Sequence, residues 1–385
     1  MGQGAGMTPV AAPPDLRALT TLRFFAAAWV VLFTAWPHLD AGFTLIAVTK
    51  GYLGVETFFV LSGFILSHVY LQTVGEKGFS YKGFLWARVA RVYPLHLLTL
   101  GAMVTLGIGA GLVGMAVDPS LSDWRALPAH LTMTHAWGLA PSAAFNHPSW
   151  SISAEWFAYL TFPVFAWVAW RARERPASAV LAAATGGLVI YAAFERLAGF
   201  PLTEATFRWG ALRIAPCFAL GCALYLAHRR GPLAHAGWVA AAFALLTVAL
   251  ASLRAWDPLV VLCAGGTILG MAGMDNDRAG FLSSRVGVYL GEISYSIYMV
   301  CAPVLLLATN LGERVLGGDG RFHVFVWLAM IAAIVVAASL TYHLVERPAR
   351  KVLRGLTGTT AQHSPATKPH TTLRERVLQS RENIV

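Results

Sequence analysis

Long apolar runs, almost free of charge, constrain this chain more than any other feature. A helix crosses a bilayer with about 20 mostly apolar residues, because the hydrocarbon core is about 30 Å thick and each residue rises about 1.5 Å. Ten runs of roughly that length can be drawn, over residues 18–36, 49–71, 92–116, 150–170, 178–198, 208–228, 236–252, 257–273, 287–309 and 322–345. The seventh and eighth are the weakest, since the break between them, Arg254-Ala-Trp-Asp-Pro258, is short. Only 12% of the 385 residues are charged and 57% are hydrophobic. A soluble domain carries about twice that charge, so lipid must cover much of the surface. The expected fold is an all-α integral membrane protein with about ten transmembrane helices.

The basic residues orient this bundle. A net charge of +10 in a soluble protein would suggest nucleic acid. Here the charges sit between apolar runs, so no nucleic-acid partner is expected. With the N-terminus inside, the inner connections hold Lys77, Lys82, Arg88, Arg91, Arg171, Arg173, Arg175, Arg229, Arg230, Arg278 and Arg285, and the C-terminal tail adds Arg347, Arg350, Lys351, Arg354 and four more beyond them. The outer connections hold Lys50, Arg125, Arg196, Arg208, Arg254, Arg314 and Arg321. The bias, roughly 20 against 7, places both termini in the cytoplasm. Residues 1–15 are rich in Gly, Ala and Pro, with no basic or apolar signal region, and read as a disordered N-terminus. Residues 16–352 form the membrane domain, and 353–385 read as a disordered basic cytoplasmic tail. Cys217, Cys222, Cys263 and Cys301 lie inside apolar runs without zinc-type spacing, so reduced, buried thiols and no metal site are expected.

Ionisable residues inside spans mark sites by default. Arg23 and Thr34, eleven residues apart, share a face of the first helix; the competing reading of Arg23 is an interfacial anchor. Arg88 and Arg91, three apart at the cytoplasmic start of the third helix, suit the phosphates of a nucleotide-bearing donor, or serve as positive-inside anchors. In Ser149-Trp-Ser151-Ile-Ser153-Ala-Glu155-Trp-Phe-Ala-Tyr159, residues Ser151, Glu155 and Tyr159 form one polar stripe. Glu155 lies about one turn inside the outer interface, where a lone carboxylate needs a partner or a role. Ser294, Tyr295 and Tyr298 suit helix–helix hydrogen bonds, and Glu346 with Arg347 reads as an ion pair at a helix end.

With these residues the chain resembles acyltransferase family 3, membrane O-acyltransferases that decorate bacterial polysaccharides, peptidoglycan, lipids and some small molecules. The resemblance runs from about Leu16 to Arg350. It rests on Leu22-Arg23-Phe-Phe-Ala-Ala, Gly54-Val-Glu-Thr-Phe58-Phe-Val-Leu-Ser62-Gly63-Phe64, Arg88, Arg91 and Pro94, the Ser-Trp-Ser-Ile-Ser-Ala-Glu segment, Ser294-Tyr295 and Glu346-Arg-Pro348. It implies a multi-pass protein of the bacterial inner membrane. Such a protein moves an acetyl-like group from cytoplasmic acyl-CoA, with no tightly bound cofactor, to a hydroxyl of a glycan, lipid or small molecule. The acyl group is expected near Arg23 and Thr34, and the acceptor at Glu155, Ser151 and His38, with Ser153, Tyr159 and His147 lining the site. Donor arginines and acceptor carboxylate are thus expected at opposite membrane depths.

Two departures bear on mechanism. The family usually has a histidine eleven residues after the first-helix arginine, where this chain has Thr34, and often another three residues after Tyr298, where it has Cys301. A threonine hydroxyl has no useful basicity, so Thr34 is expected to align substrate or water. His38, His147 or Glu155 then remains as the base. A catalytically inactive relative that binds or exports its ligand is the alternative.

Overall fold

The computed structural model describes residues 15–114, 119–121, 123–231, 233–317 and 319–356. Twelve helices carry the fold: α1 (Arg17–Ala35), α2 (Gly54–Gly75), α3 (Tyr81–Leu112), α4 (Trp150–Ala172), α5 (Pro176–Ala198), α6 (Gly210–His228), α7 (Ala236–Ser252), α8 (Asp257–Ala272), α9 (Arg285–Glu292), α10 (Ser294–Leu316), α11 (Val324–Thr341) and α12 (Arg347–Gly355). Among the described residues, eight helical stretches are long and apolar enough to cross a membrane. The other two of the ten expected runs are α7 and α8, of 17 and 16 residues. Each spans about 25 Å at the helical rise, short of a full hydrocarbon core. They pair with each other, and α8 packs on α6. The outward faces carry Leu181, Val189, Leu197, Trp238 and Leu245 in the open, the surface a lipid-solvated bundle presents.

The bundle has two packed halves. In the larger, α6 is the hub, against α2, α4, α5 and α8. In the smaller, α1, α10 and α11 share a core that includes Ala27, Ile297, Cys301 and Ile334. Helix α3 lies between them. The α2–α6 contact is a backbone approach. A Cβ on Gly63 would sit 2.2 Å from Phe218 O, and one on Gly221 would sit 2.0 Å from Val60 O. Lipid gives no hydrophobic drive for helix association, so close packing of small residues supplies it. All four cysteines are buried and free.

Helix α3 begins earlier than the apolar pattern implies. Ser80 caps it, its Oγ accepting from Gly83 N at 3.2 Å, and the helix runs 32 residues. Arg88 and Arg91 therefore lie inside it, Arg91 about 15 Å along from Tyr81. At the other end of the chain, the last apolar run widens into a π-turn at Tyr342–Glu346 and continues as α12 to Gly355. The tail expected from residue 353 thus starts within a helix, and residues 1–14 and 357–385 lie outside the described residues.

A buried ion pair ties the hub together. Arg213 Nε donates to Glu56 Oε1 at 2.5 Å, with the two side chains 2% and 0% exposed. Arg213 Nη1 donates to Ala205 O at 2.7 Å, and the guanidinium lies 4.4 Å from the Trp150 ring centroid. Removing one partner leaves an uncompensated charge. Arg213→Met is expected to cost about 3–5 kcal/mol, read as a lowered unfolding temperature in detergent, and the double variant Glu56→Gln/Arg213→Met should recover much of the loss. Gly221→Val, which forces a side chain onto Val60 O, is expected to cost about 1–3 kcal/mol by overpacking in the same assay.

Candidate active site

A cavity of about 90 Å³ opens where the two halves meet α3, walled by α1, α2, α3, α4 and α10. Helix α2 turns Val55, Phe58, Phe59, Ser62 and Leu66 into it, α3 turns Arg88, Arg91 and Val92, and α4 turns Ser151, Glu155 and Tyr159. These spacings of three and four place each set on one helix face. Arg23 of α1 and Ser294, Tyr295 and Tyr298 of α10 complete the wall.

Hydrogen bonds hold the walls in register. Tyr295 OH donates to Val92 O at 2.7 Å, joining α10 to α3. Tyr298 OH and Ser151 Oγ both donate to Pro148 O, at 2.9 and 3.1 Å, fixing the entry to α4. Ser62 Oγ donates to Glu155 Oε1 at 2.8 Å. Arg88 lies 5.8–5.9 Å from the ring centroids of Tyr70, Phe84 and Tyr159, which restrains its guanidinium by cation–π attraction. Arg23 lies within electrostatic range of Glu155, Arg91 and Arg88.

The charges are unbalanced. Three arginines and one carboxylate line the cavity, an excess of positive charge in a low-dielectric site where it attracts anions strongly. The carboxylates of the bundle also differ in state. Glu56, Asp257 and Glu346 are each ion-paired, to Arg213, Lys50 and Arg350. Glu155 forms no ion pair within 4.0 Å among the described residues and takes a hydroxyl donor instead. It is a carboxylate held in place without being neutralised by direct contact.

Of the residues singled out from the sequence, Arg23, Arg88, Arg91, Ser151, Glu155 and Tyr159 meet in this cavity. The arginines and Glu155, expected at opposite ends of the bundle, line one cavity, and the early start of α3 sets Arg88 and Arg91 within a helix. Four residues are not brought to the cavity. Thr34 donates to Val30 O at 2.9 Å within its own helix. His38 is turned away. It follows Pro37 in a 3₁₀ turn, and its Nδ1 lies 3.0 Å from Gly320 O while Phe322 N donates to His38 O at 2.9 Å. Ser153 is buried behind α4, donating to Met133 O at 2.8 Å and accepting from Ala136 N at 2.9 Å. His147 borders a separate small pocket with His130, His135 and Asn146.

Three features escaped the sequence reading. Ser62, the partner of Glu155, is one hydroxyl in an apolar helix and gives no local signal. Glu56 and Arg213 do give one, being ionisable residues inside apolar runs. The third is a stack of imidazoles beneath the connection between α3 and α4. The His130 and His135 rings lie parallel at 3.9 Å, and His96 stacks on His135 at 5.8 Å. His96 Nε2 meets His130 O at 2.8 Å, and His135 Nε2 meets Ser149 Oγ at 3.1 Å. Among the described residues no group of three or more His, Cys, Asp or Glu could hold a metal ion.

Comparison with known proteins points to one family. The family model described as an acyltransferase domain matches residues 16–342. The acyltransferase MdmB of Streptomyces mycarofaciens is 30% identical over 378 residues, 88% of this chain and 92% of that protein. Nodulation protein 10 of Rhizobium leguminosarum bv. viciae is 25% identical, over 87% of this chain and 93% of that protein. YrhL of Bacillus subtilis strain 168, named as a candidate peptidoglycan O-acetyltransferase, is 24% identical over 86% of this chain and 54% of its own length. No solved structure matches the chain at a significant level.

The imidazole stack makes the α3–α4 connection sensitive to acid. Burial, with repulsion from His96 added, holds His130 down to about 4. Burial, then His130 and His96, holds His135 down to about 2. Both folded values lie below the ordinary value of about 6.5, so protons bind the opened loop first. The stabilisation is complete above about pH 6.5 and is lost as the pH falls toward 4. Amide exchange over residues 127–149, corrected for intrinsic rate, is expected to accelerate on the order of tenfold or more between pH 7 and pH 5. His130→Phe/His135→Phe should flatten that dependence.

Proposed function

The chain belongs to acyltransferase family 3, and from that premise we propose that it is a membrane O-acyltransferase that uses Glu155 as its base. The donor is a cytoplasmic acyl-CoA with a short, acetyl-like acyl group, and the acceptor is a hydroxyl of a cell-envelope glycan, lipid or small molecule. The observation that carries this reading is the single cavity in which a hydroxyl-anchored, unpaired carboxylate faces three arginines. The name of the Bacillus subtilis relative supports a glycan among the acceptor classes.

The proposed chemistry follows from that arrangement. Arg88 and Arg91 attract the donor's phosphates, and the thioester enters between α1 and α4. Glu155 takes the proton of the acceptor hydroxyl as its oxygen attacks the thioester carbonyl carbon. The oxyanion that develops faces the Arg23 guanidinium, a fixed positive charge in a dry site. Collapse expels the CoA thiolate, which takes the proton from Glu155, leaving an ester and CoA thiol. Ser62 keeps the carboxylate aimed and Tyr159 borders it. The cavity's small volume suits a short acyl chain.

Two observations favour the inactive alternative. Thr34 spends its hydroxyl inside its own helix, and Cys301 is buried in the α1–α10–α11 core. Neither position offers a base.

Glu155→Gln keeps the shape and removes the basicity. We expect it to lower acyl transfer from acetyl-CoA in reconstituted membranes by on the order of 10²–10⁴-fold, with Ser62→Ala costing about tenfold. Transfer at the unmodified rate in Glu155→Gln would remove the carboxylate from the mechanism. Transfer that appears only after Thr34→His would show the unmodified chain to be inactive.

A further inference from the structure

Helix α12 turns the wrong face inward. It follows the π-turn at Tyr342–Glu346 and lies on α3, where Trp86 Nε1 donates to Leu353 O at 2.6 Å. An interfacial helix ordinarily sends its arginines to water and packs its apolar side. Here Arg347, Lys351 and Val352 are exposed, while Arg350 and Arg354, one turn apart, are half-buried. Their side of the helix faces the part of α3 that carries Arg88 and Arg91. Arg354 is within electrostatic range of Arg350, Arg88 and Arg91, and Arg350 is within range of Arg91.

Four guanidinia therefore crowd together. Besides Glu155 across the cavity, the acidic group beside them is Glu346, 2% exposed, which accepts from Ser296 Oγ at 2.9 Å and pairs with Arg350. Arg88 Nε and Arg350 Nε are buried without a hydrogen-bond partner. Like charges at this density repel; among the described residues Glu346 pairs with Arg350, and Glu155 and Glu346 both act on Arg91 at longer range. A fold that aims them at each other anyway is suited to an anion with several charges. Arg also presents the forked donors that match phosphate oxygens.

We propose that α12 completes the donor site, with Arg350 and Arg354 binding the phosphates of the donor's nucleotide end while Arg88 and Arg91 lead toward the cavity. Arg354, farthest along α12, takes the phosphate farthest from the thioester, the 3′-phosphate of the adenosine moiety. The inference rests on the acyl-CoA reading above. A phosphate carries about 1.5–2 negative charges, so a pyrophosphate with a ribose phosphate matches the excess of positive charge. An anionic lipid headgroup shares this chemistry and is the rival occupant.

The test titrates acetyl-CoA and 3′-dephospho-acetyl-CoA into the full-length protein in phosphatidylcholine nanodiscs. The variants are Arg354→Gln, Arg350→Gln and Arg354→Lys, with the exposed Arg347→Gln as control and an unfolding temperature recorded for each. The unmodified protein is expected to bind acetyl-CoA about tenfold more tightly than the dephospho form. Arg354→Gln should weaken acetyl-CoA about tenfold and abolish that discrimination, Arg354→Lys should restore part of it, and Arg347→Gln should change neither. Unchanged affinity and discrimination in both glutamine variants overturns the role of α12 while leaving the donor reading intact. No acetyl-CoA binding by the unmodified protein overturns the donor reading itself. An effect of the variants confined to nanodiscs containing phosphatidylglycerol assigns the arginines to lipid and also overturns the proposal.

Discussion

The Glu56–Arg213 pair is the interaction on which the arrangement of the bundle depends. Two charges removed from water cost several kcal/mol each, and their attraction offsets this only when the geometry is close and the remaining donors are satisfied. Here the pair is fully enclosed. One guanidinium N–H is given to Ala205 O in the connection before α6, and the guanidinium plane meets Trp150, the first residue of α4. One contact thus positions α2, α6 and the start of α4 together. The Ser151–Glu155–Tyr159 stripe begins one residue later, and Ser62 stands less than two turns from Glu56 on α2. The Ser62–Glu155 hydrogen bond is therefore downstream of the ion pair: both of its helices are already fixed by it.

A second constraint is how the bundle distributes its charges. Within a low dielectric each carboxylate must find a cation or a set of donors. Glu56 takes Arg213, Glu346 takes Arg350 and Ser296, and Asp257 takes Lys50, Tyr52 and Thr203. Those pairings are structural in effect, because each neutralises its carboxylate. Glu155 is left facing arginines across a cavity rather than touching one. A group neutralised by contact cannot readily accept a proton, whereas one held by a neutral hydroxyl can. In the proposed mechanism the fold pairs Glu56, Glu346 and Asp257 with cations and leaves Glu155, held by a neutral hydroxyl in the cavity, to receive the proton.

The apolar runs were readable because lipid imposes a length and a composition on each span, and that demand is local. The two weakest runs, 236–252 and 257–273, became the two helices below spanning length. What was not readable is pairing over long separations. Glu56 and Arg213 are 157 residues apart, and His38 is fixed by Gly320, 282 residues away. Pro37 signalled a helix end, but no local rule says which strand of chain will then catch the histidine. The helical setting of Arg88 and Arg91 is hidden for a different reason. The apolar window opens at Val92, so the turns from Tyr81 look like a loop; the Ser80 cap is the local mark of the true start. The all-helical bundle with apolar spans, and the shared helix faces of Ser151, Glu155 and Tyr159 and of Arg88 and Arg91, follow from periodicity and charge, whereas the burial of Ser153 and the displacement of His38 come from tertiary contacts.

The geometry along α1 explains why position 34 bears less on this cavity than its spacing from Arg23 suggests. Eleven residues of helix cover about 16 Å. A Cβ on Gly54, the first residue of α2, would meet Ala26 O, and one on Gly51 would meet Trp29 O and Phe33. The two helices run antiparallel, so residues beyond Trp29 face the segment before α2 rather than α2 itself. Trp29 Nε1 donates to Ala47 O, and Phe33 packs edge-on against Tyr52. Thr34 thus stands beside the entry to α2, one or more turns past the cavity that Arg23 lines. A base at that level would serve an acceptor approaching through the 38–51 connection, with the thioester drawn up α1 to meet it. A base at Glu155 instead requires the acceptor hydroxyl to descend to Ser62. In the proposed mechanism, a base at Glu155 rather than at position 34 therefore moves acyl transfer along α1 toward Arg23 and changes the group that receives the proton.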